Sequence, residues 1–554
     1  MSNTDTVFTF DDGSSLTVSD ATINSNSYGN NRNVITGVSF GTSCIKIANL
    51  TFMDCPNLTS VSFTGNSVTN IGNSAFRGCT GLTSFTIPSS VTFIGINTLR
   101  DCTSLTKIVV DSNNPIFSNN SGDSVNVLYN KDITTLINYP SGNIASSYTI
   151  PTTVTTIFDA AFNNSSNLTS VTFNDTTDSS GNPISNLTSI GSFAFRNSGL
   201  RSVTIPDSDV NLGIGIFESC INLGSATMSN NTKIVPSTIF QDCTSLTTVS
   251  LSSNTTAIGS SAFDGCSSLT SITIPDNVTH IAASCFNGCS TLSSVIMNTT
   301  SPLLRIIGDS AFELCSSLTS ITIPDSVMSI GGNAFVGTGI SSVTLPDSLT
   351  TIGQEAFMGT QLTSLEIPNS VSLIGNGLLK DCANLTSVSI GARITRITDE
   401  MLSRCTHLTS ITVSESVNYI GAKAFNSCTS LSSITLGEGI QSIRNFAFEN
   451  CTALSPSSSP TTPPEIPVIS FLGNTSDMNV GIGLFTGVTK NSYLKVYFYN
   501  TNITTDSSGN DIPDIQPKLL TQIQAMVVDT TVYPISDDTS GTTKQLFYIT
   551  SASS

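Results

Sequence analysis

The chain has 554 residues, of which 38% are apolar and only 10% charged, with a formal net charge of −18. It lacks the basic footprint that displaces phosphate counterions, which argues against nucleic acid and against an anionic membrane surface as partners. The start, MSNTDTVFTFDDGSS, has no basic or apolar leader region, and no run of about 18 apolar residues occurs, so neither a signal peptide nor membrane insertion is expected.

Residues 1–34 are expected to form an N-terminal cap, because the first coil of a stacked array would otherwise expose its edge. Within it, Val7–Phe10 and Ser15–Val18 read as a hairpin around Asp11-Asp12-Gly13. From Ile35 a unit of about 23 residues recurs, with starts that include Leu58, Leu82, Leu223, Leu246, Leu318 and Leu431. That period with an L-x-x-L-x-L pattern is the signature of a leucine-rich-repeat solenoid. The expected fold is β-rich, with a parallel sheet on a concave face and short turns or 3-10/helical segments on the other, in about 16 coils over residues 35–454.

One unit shows the logic. In Leu318-Thr319-Ser320-Ile321-Thr322-Ile323, apolar residues alternate with Thr, which is strand periodicity. Pro324 ends the strand because it donates no ladder bond, and Asp325-Ser326 make a turn. Val327 and Ile330 return to the core, Gly331 and Gly332 allow a bend, and Ala334-Phe335 fill the interior. The repeat breaks at an insertion over 109–144, where Val127–Gly142 reads as two short strands around Asn130-Lys131-Asp132, and again at Asn174–Asn186.

After the array, residues 455–467 (SPSSSPTTPPEIP) form a Pro/Ser linker. Residues 468–554 form a small β-rich segment. Gly481–Asn500 begins like a degenerate coil, Pro517–Val527 reads as a helix or strand, and Leu546–Thr550 as a final strand. Two readings stand for this segment: a C-terminal cap, or a domain that attaches or self-associates the chain.

Stacking the units puts like residues in files. Phe52, Phe76, Phe162, Phe240, Phe335 and their equivalents form a core column, with Leu99, Leu379 and Leu402 in three coils. Twelve of the fourteen cysteines share one repeat position, and their spacing of about 23 is not a C-x₂-C zinc pattern. They read as small, reduced core residues, and no cofactor or metal is expected. The two histidines, His280 and His407, lie far apart and read as exposed loop residues. Asp276, Asp325 and Asp347 read as turn formers. No catalytic residue is therefore expected, and the chain reads as no enzyme.

Solvent-side strand positions carry hydroxyls: Thr83, Ser84 and Thr86; Thr169 and Thr172; Thr270 and Thr273; Thr319 and Thr322; Thr409 and Thr412. Stacked, they make a polar, uncharged sheet, which is the candidate binding face for a protein ligand or, as a second option, a glycan. Lys107, Arg201, Ile296 and Glu366 depart from the pattern.

The recurring I-P-x-S-V-x-x-I-G-x-x-A-F-x-G-C pattern resembles the BspA-like (Treponema pallidum-type) leucine-rich repeats over about residues 35–454, and the 109–144 hairpin looks similar to that family too. The resemblance implies adhesion and protein–protein binding, since such proteins are commonly surface proteins of bacteria, of parasitic or anaerobic protists and of some large viruses. The expected function is a non-enzymatic binding or adhesion scaffold. The alternative is a structural surface or virion component, in which the solenoid is a spacer and the C-terminal segment attaches it. Reduced cysteines lean towards folding in the cytosol, so display on a cell or virion surface would follow another route.

Overall fold

The computed structural model describes residues 4–29, 31–173, 176–177, 183–454, 468–471, 478–488, 495–498, 503–505, 511–513, 517–524, 531–535 and 546–550. The expected linker, 455–467, lies outside them. The chain divides into two compact units, Met1–Asn277 and Val278–Ser554. Both are parallel β-solenoids, together of about 18 turns and almost without helix. None of the described helices is long and apolar enough to cross a membrane.

A regular turn contains two strands. In the first unit the face strand Ser84–Ile87 alternates inward Phe85 and Ile87 with outward Thr86, and pairs in parallel with Lys107–Val110. The second strand is only two residues long, as in Lys46–Ile47, Asn70–Ile71 and Phe93–Ile94, whose isoleucines stack in register. Such short strands gain little from their own ladders. The core holds them, through the ring column.

In the first unit Phe52–Phe76, Phe195–Phe217 and Phe217–Phe240 stack at 5.0, 5.5 and 5.6 Å with interplanar angles of 9°, 16° and 9°. In the second, Phe312–Phe335 and Phe335–Phe357 lie at 5.5 and 5.2 Å. These separations exceed the roughly 4.8 Å strand repeat, so the near-parallel rings are offset rather than eclipsed, which is what their quadrupoles prefer. Leu99, Leu379 and Leu402 are buried at the same position.

The cysteines line the core beside the rings. At the repeat position thiols donate to the carbonyl of the column residue one coil earlier, as Cys243 to Phe217, Cys266 to Phe240 and Cys428 to Leu402, all at 3.1 Å, whereas Cys44 donates to Lys46 O at 3.6 Å. Where Thr replaces Cys, its hydroxyl bonds within its own coil instead, as when Thr360 Oγ1 donates to Phe357 O at 2.9 Å.

The bend assigned to Gly331 and Gly332 lies elsewhere. Neither adopts positive φ; the left-handed residues of that coil are Asn333 (φ 56°) and Gly337 (φ 67°). The same position in other coils accepts Leu50, Phe193 or Lys423. Gly331 is required for close approach: a Cβ there would sit 2.4 Å from the amide nitrogen of Asp309. An Asp or Asn on the adjoining turn ties consecutive coils, as when Asp309 Oδ1 accepts from Gly332 N at 2.7 Å and Asp399 Oδ1 from Ala422 N at 2.8 Å.

The ends enter the array more deeply than the sequence suggested. The hairpin of Thr6–Phe10 and Ser15–Val18 pairs antiparallel with the first face strand, Ile35–Phe40. Thr22–Ile23 already belongs to the second-strand file, beside Lys46–Ile47. Tyr28 heads the ring column, 5.4 Å from Phe52 at 6°. In the second unit, Val468–Phe471 and Asn479–Val480 continue both files past residue 454, the expected end of the array. Lys495–Phe498 adds a further face strand and pairs antiparallel with Leu546–Thr550, which pairs with Thr531–Ile535. The helix Pro517–Gln524 lies against the last coil, where Gln522 accepts from Leu484 N at 2.7 Å and donates to Gly481 O at 3.0 Å.

The insertion is a meander. Phe117–Ser118, Leu128–Asn130 and Thr135–Asn138 pair antiparallel, and the last joins the second-strand file beside Thr156–Ile157. Tyr139 then takes a place in the ring column, 5.1 Å from Phe162. At the second break, Thr176–Thr177 pairs antiparallel with Pro183–Ile184.

Candidate binding face

The face strands hold two outward files of hydroxyls, because side chains two residues apart on a strand share a side. In the first unit Ser147 is in register with Ser170 and Thr149 with Thr172. Ser202, Ser225 and Thr248 form one file, and Thr204, Thr227 and Ser250 the other. In the second unit Ser410 and Thr412 pair with Ser433 and Thr435. The serine file is a regular feature that pattern reading undervalued, although the Ser-x-Thr spacing signals it.

The candidate residues divide into two kinds. Thr86, Thr172, Thr273, Thr322 and Thr412 are exposed on the second file, and Ser84 lies on the first beside Lys107. Thr83, Thr169, Thr270, Thr319 and Thr409 occupy the position before the strand, where side-chain hydroxyls donate to backbone carbonyls of the preceding coil in several turns. Thr169 Oγ1 donates to Ser146 O at 2.9 Å, Thr106 Oγ1 to Thr83 O at 2.9 Å, and Ser432 Oγ to Thr409 O at 3.3 Å. The eleven residues are not one patch: Thr83 to Thr273 belong to the first unit, and Thr319 to Thr412 to the second.

Each unit has a groove on this face. In the first, about 760 Å³ is lined by Ser225, Thr227, Thr248, Ser250, Thr273 and Asp276. In the second, about 680 Å³ lies over Ile321 and Val343, with Thr322 and Thr344 on its walls and Asp325, Asp347 and Glu366 at its rim. The second coincides with coils one residue shorter: Phe335 to Ile340 and Phe357 to Leu362 span five positions, whereas Phe312 to Leu318 spans six. There the face strand expected at Leu318–Ile323 reduces to a single bridge, Ser320 to Ser342. Of the pattern departures, Glu366 lies in this groove, and Ile296 is 55% exposed.

The chemistry of the face is hydrogen bonding without bond making. His280 and His407 are exposed; His280 Nδ1 meets Thr279 Oγ1 at 2.8 Å and His407 Nδ1 meets Ala383 O at 2.6 Å. All fourteen cysteines are buried and unpaired with one another. Burial pushes the thiols up, to about 11 at Cys220 and Cys382 and about 12 at Cys102, far from a nucleophilic thiolate. Among the described residues no group of three or more His, Cys, Asp or Glu could hold a metal ion.

No curated protein matches the chain at a significant level. Among solved structures it is similar to a leucine-rich repeat protein of Eubacterium ventriosum, with 24% identity over 62% of this chain and 94% of that one and a TM-score of 0.41. It is also similar to one of Bacteroides ovatus, with 25% identity over 76% and 80% and a TM-score of 0.40. The model of the BspA type leucine rich repeat region matches residues 14–123, 138–184, 182–293, 305–422 and 395–526. This chain therefore belongs to the BspA-type leucine-rich-repeat family, whose members usually serve as non-enzymatic protein-interaction scaffolds.

Proposed function

We propose that this protein is an adhesion scaffold that binds a protein ligand on its Ser/Thr face, through the groove of each unit. The observation that carries the reading is the register of the two outward hydroxyl files, which meets the ligand with a neutral surface. Hydroxyls both donate and accept, so a partner's polar groups find partners whichever way they point, and no buried charge has to be desolvated. The acidic rim at Asp325, Asp347 and Glu366 suits a partner that brings Lys or Arg to the edge of its contact. The tail strands and the Pro517–Gln524 helix support a capping role for the C-terminal segment, since they cover the last coil.

The test is selection of displayed random peptides on the full chain, followed by binding to two double variants. Thr227→Arg with Thr344→Arg places bulk and charge in both grooves. Ile234→Arg with Leu373→Arg alters second-strand residues that are each 61% exposed, off the face. Loss of binding in the first pair alone supports the reading. Ligands that bind the first pair unchanged, or are lost only with the second, refute it.

A further inference from the structure

The insertion leaves one coil with its hydrogen bonds unmet. In the coils before it, three amides per turn donate to the next coil: Ser74 to Ile96, Phe76 to Thr98 and Gly78 to Arg100, at 2.9 to 3.0 Å. After it the same ladder resumes, from Ala160 to Ser192, Phe162 to Ala194 and Asn164 to Arg196. The corresponding amides of Asn97, Leu99 and Asp101 find no acceptor among the described residues. The meander that follows does not place its carbonyls where a regular coil would.

A cavity of about 170 Å³ lies at this junction, between the Ile94–Arg100 turn, Leu128 and Ile137 of the meander, and Phe158 of the following coil. Arg100 is among its lining residues, and its side chain is only 14% exposed. Its guanidinium lies over the Phe193 ring, 5.6 Å from the centroid, and its Nε is buried without a hydrogen-bond partner among the described residues. The nearest carboxylate oxygen, Asp101 Oδ1, is 3.7 Å from Nε. That carboxylate is already held by Arg77 Nε at 3.1 Å, Asn163 Nδ2 at 2.7 Å and Asn164 Nδ2 at 2.8 Å. Burial holds the Arg100 pKa below its ordinary value, against the opposing pull of the Asp101 carboxylate.

A buried guanidinium Nε without a hydrogen bond is costly, and so are orphaned amides. Both lack the same thing, an acceptor oxygen, and both border an apolar hollow. We propose that the cavity between the 94–101 turn and the insertion binds a small organic carboxylate, with its oxygens on Arg100 and its apolar body among Leu99, Leu128, Ile137 and Phe158. The size fits, since an apolar cavity of about 150 Å³ takes a benzene ring. Phosphate fits less well: it brings more charge than one guanidinium offsets and leaves the apolar walls without contact.

Calorimetric titration of the full chain with benzoate, benzyl alcohol and inorganic phosphate tests this. Benzoate is expected to bind one to one with a Kd of about 1 mM or tighter, and the other two much more weakly. Arg100→Met keeps the stem and removes the donors; it should weaken benzoate at least about tenfold. Leu99→Phe installs the ring most coils carry at this position, so it should fold normally while filling the cavity and blocking benzoate. Equal binding of benzyl alcohol or phosphate, no saturable benzoate binding, or benzoate binding unchanged in Leu99→Phe would overturn the proposal.

Discussion

Alkaline pH should unfold this protein through its cysteines. Burial raises the thiols of Cys220 and Cys382 to about 11, and of Cys102, Cys315 and Cys428 to about 12, from the ordinary 9.0. Below pH 9 these thiols are protonated in both states and the difference has no effect. Between 9 and 11–12 the unfolded chain releases protons that the folded chain retains, so stability is lost as pH rises. At pH 10 each thiol costs on the order of 1 kcal/mol, and the five together several kcal/mol, a large part of the whole stability of many domains. The assay is the urea midpoint between pH 8 and 10.5. Lysines and tyrosines also titrate there, so the thiols are isolated by comparing wild type with Cys220→Ser and Cys382→Ser. Serine keeps a donor towards the carbonyls of Phe195 and Phe357 but does not ionise. Each variant should release about one proton fewer on unfolding at pH 10. Identical pH slopes in wild type and variants, or a flat midpoint from pH 8 to 10, would refute the buried-thiol reasoning.

Three further outcomes follow from the packing. Phe240→Ala, between Phe217 and Phe263 at 5.6 Å each, should cost about 3–5 kcal/mol. Phe240→Leu should cost less than about 1.5 kcal/mol, because leucine already serves at 99, 379 and 402; equal losses in urea unfolding would show that the column does not carry the core. Gly331→Ala should lower the thermal midpoint sharply, since its Cβ meets backbone. Gly332→Ala, whose nearest contact is 3.4 Å away, should change stability by no more than about 1 kcal/mol. A thiol reagent should find almost no reactive cysteine in the native protein and all fourteen in denaturant; fewer in denaturant would reveal disulfides.

The fold was legible because one period is written many times over. The Phe and Cys files, and the Pro that follows face strands such as Ser84–Ile87 and Ser147–Ile150, are demands of the core and of backbone chemistry that recur from coil to coil. The left-handed turns were not legible. Leu50, Phe193 and Lys423 hold positive φ without the residue type that normally marks it. There the closure of the coil imposes the backbone, and packing offsets the strain. Gly331, which looked like the hinge, serves instead to let two backbones pass. The extent of the array was hidden for a related reason. Thr22–Ile23 is a two-residue strand in a segment without the repeat motif, Asn479–Val480 one that precedes only a degenerate copy of it, and pairing across coils reveals both.

The binding face illustrates a sharper limit. In the unit Thr-Ser-x-Thr, three hydroxyls look alike in sequence, yet the first is drawn into the ladder to the coil before. Thr169 and Thr106 both donate to a carbonyl 23 residues earlier. What a hydroxyl can offer a ligand is thus decided by its register against the preceding coil. The same argument applies at the insertion. Asn97 and Leu99 occupy ordinary repeat positions, and what sets them apart is the absence of a regular coil to follow. In a solenoid the exposed hydrogen-bonding capacity lies where the stacking rule lapses, at shortened coils and insertions. The groove at Ser320–Ser342 and the hollow beside Arg100 both lie at such lapses. Substitutions there should change binding at little cost in stability, whereas substitutions in the regular files should do the reverse.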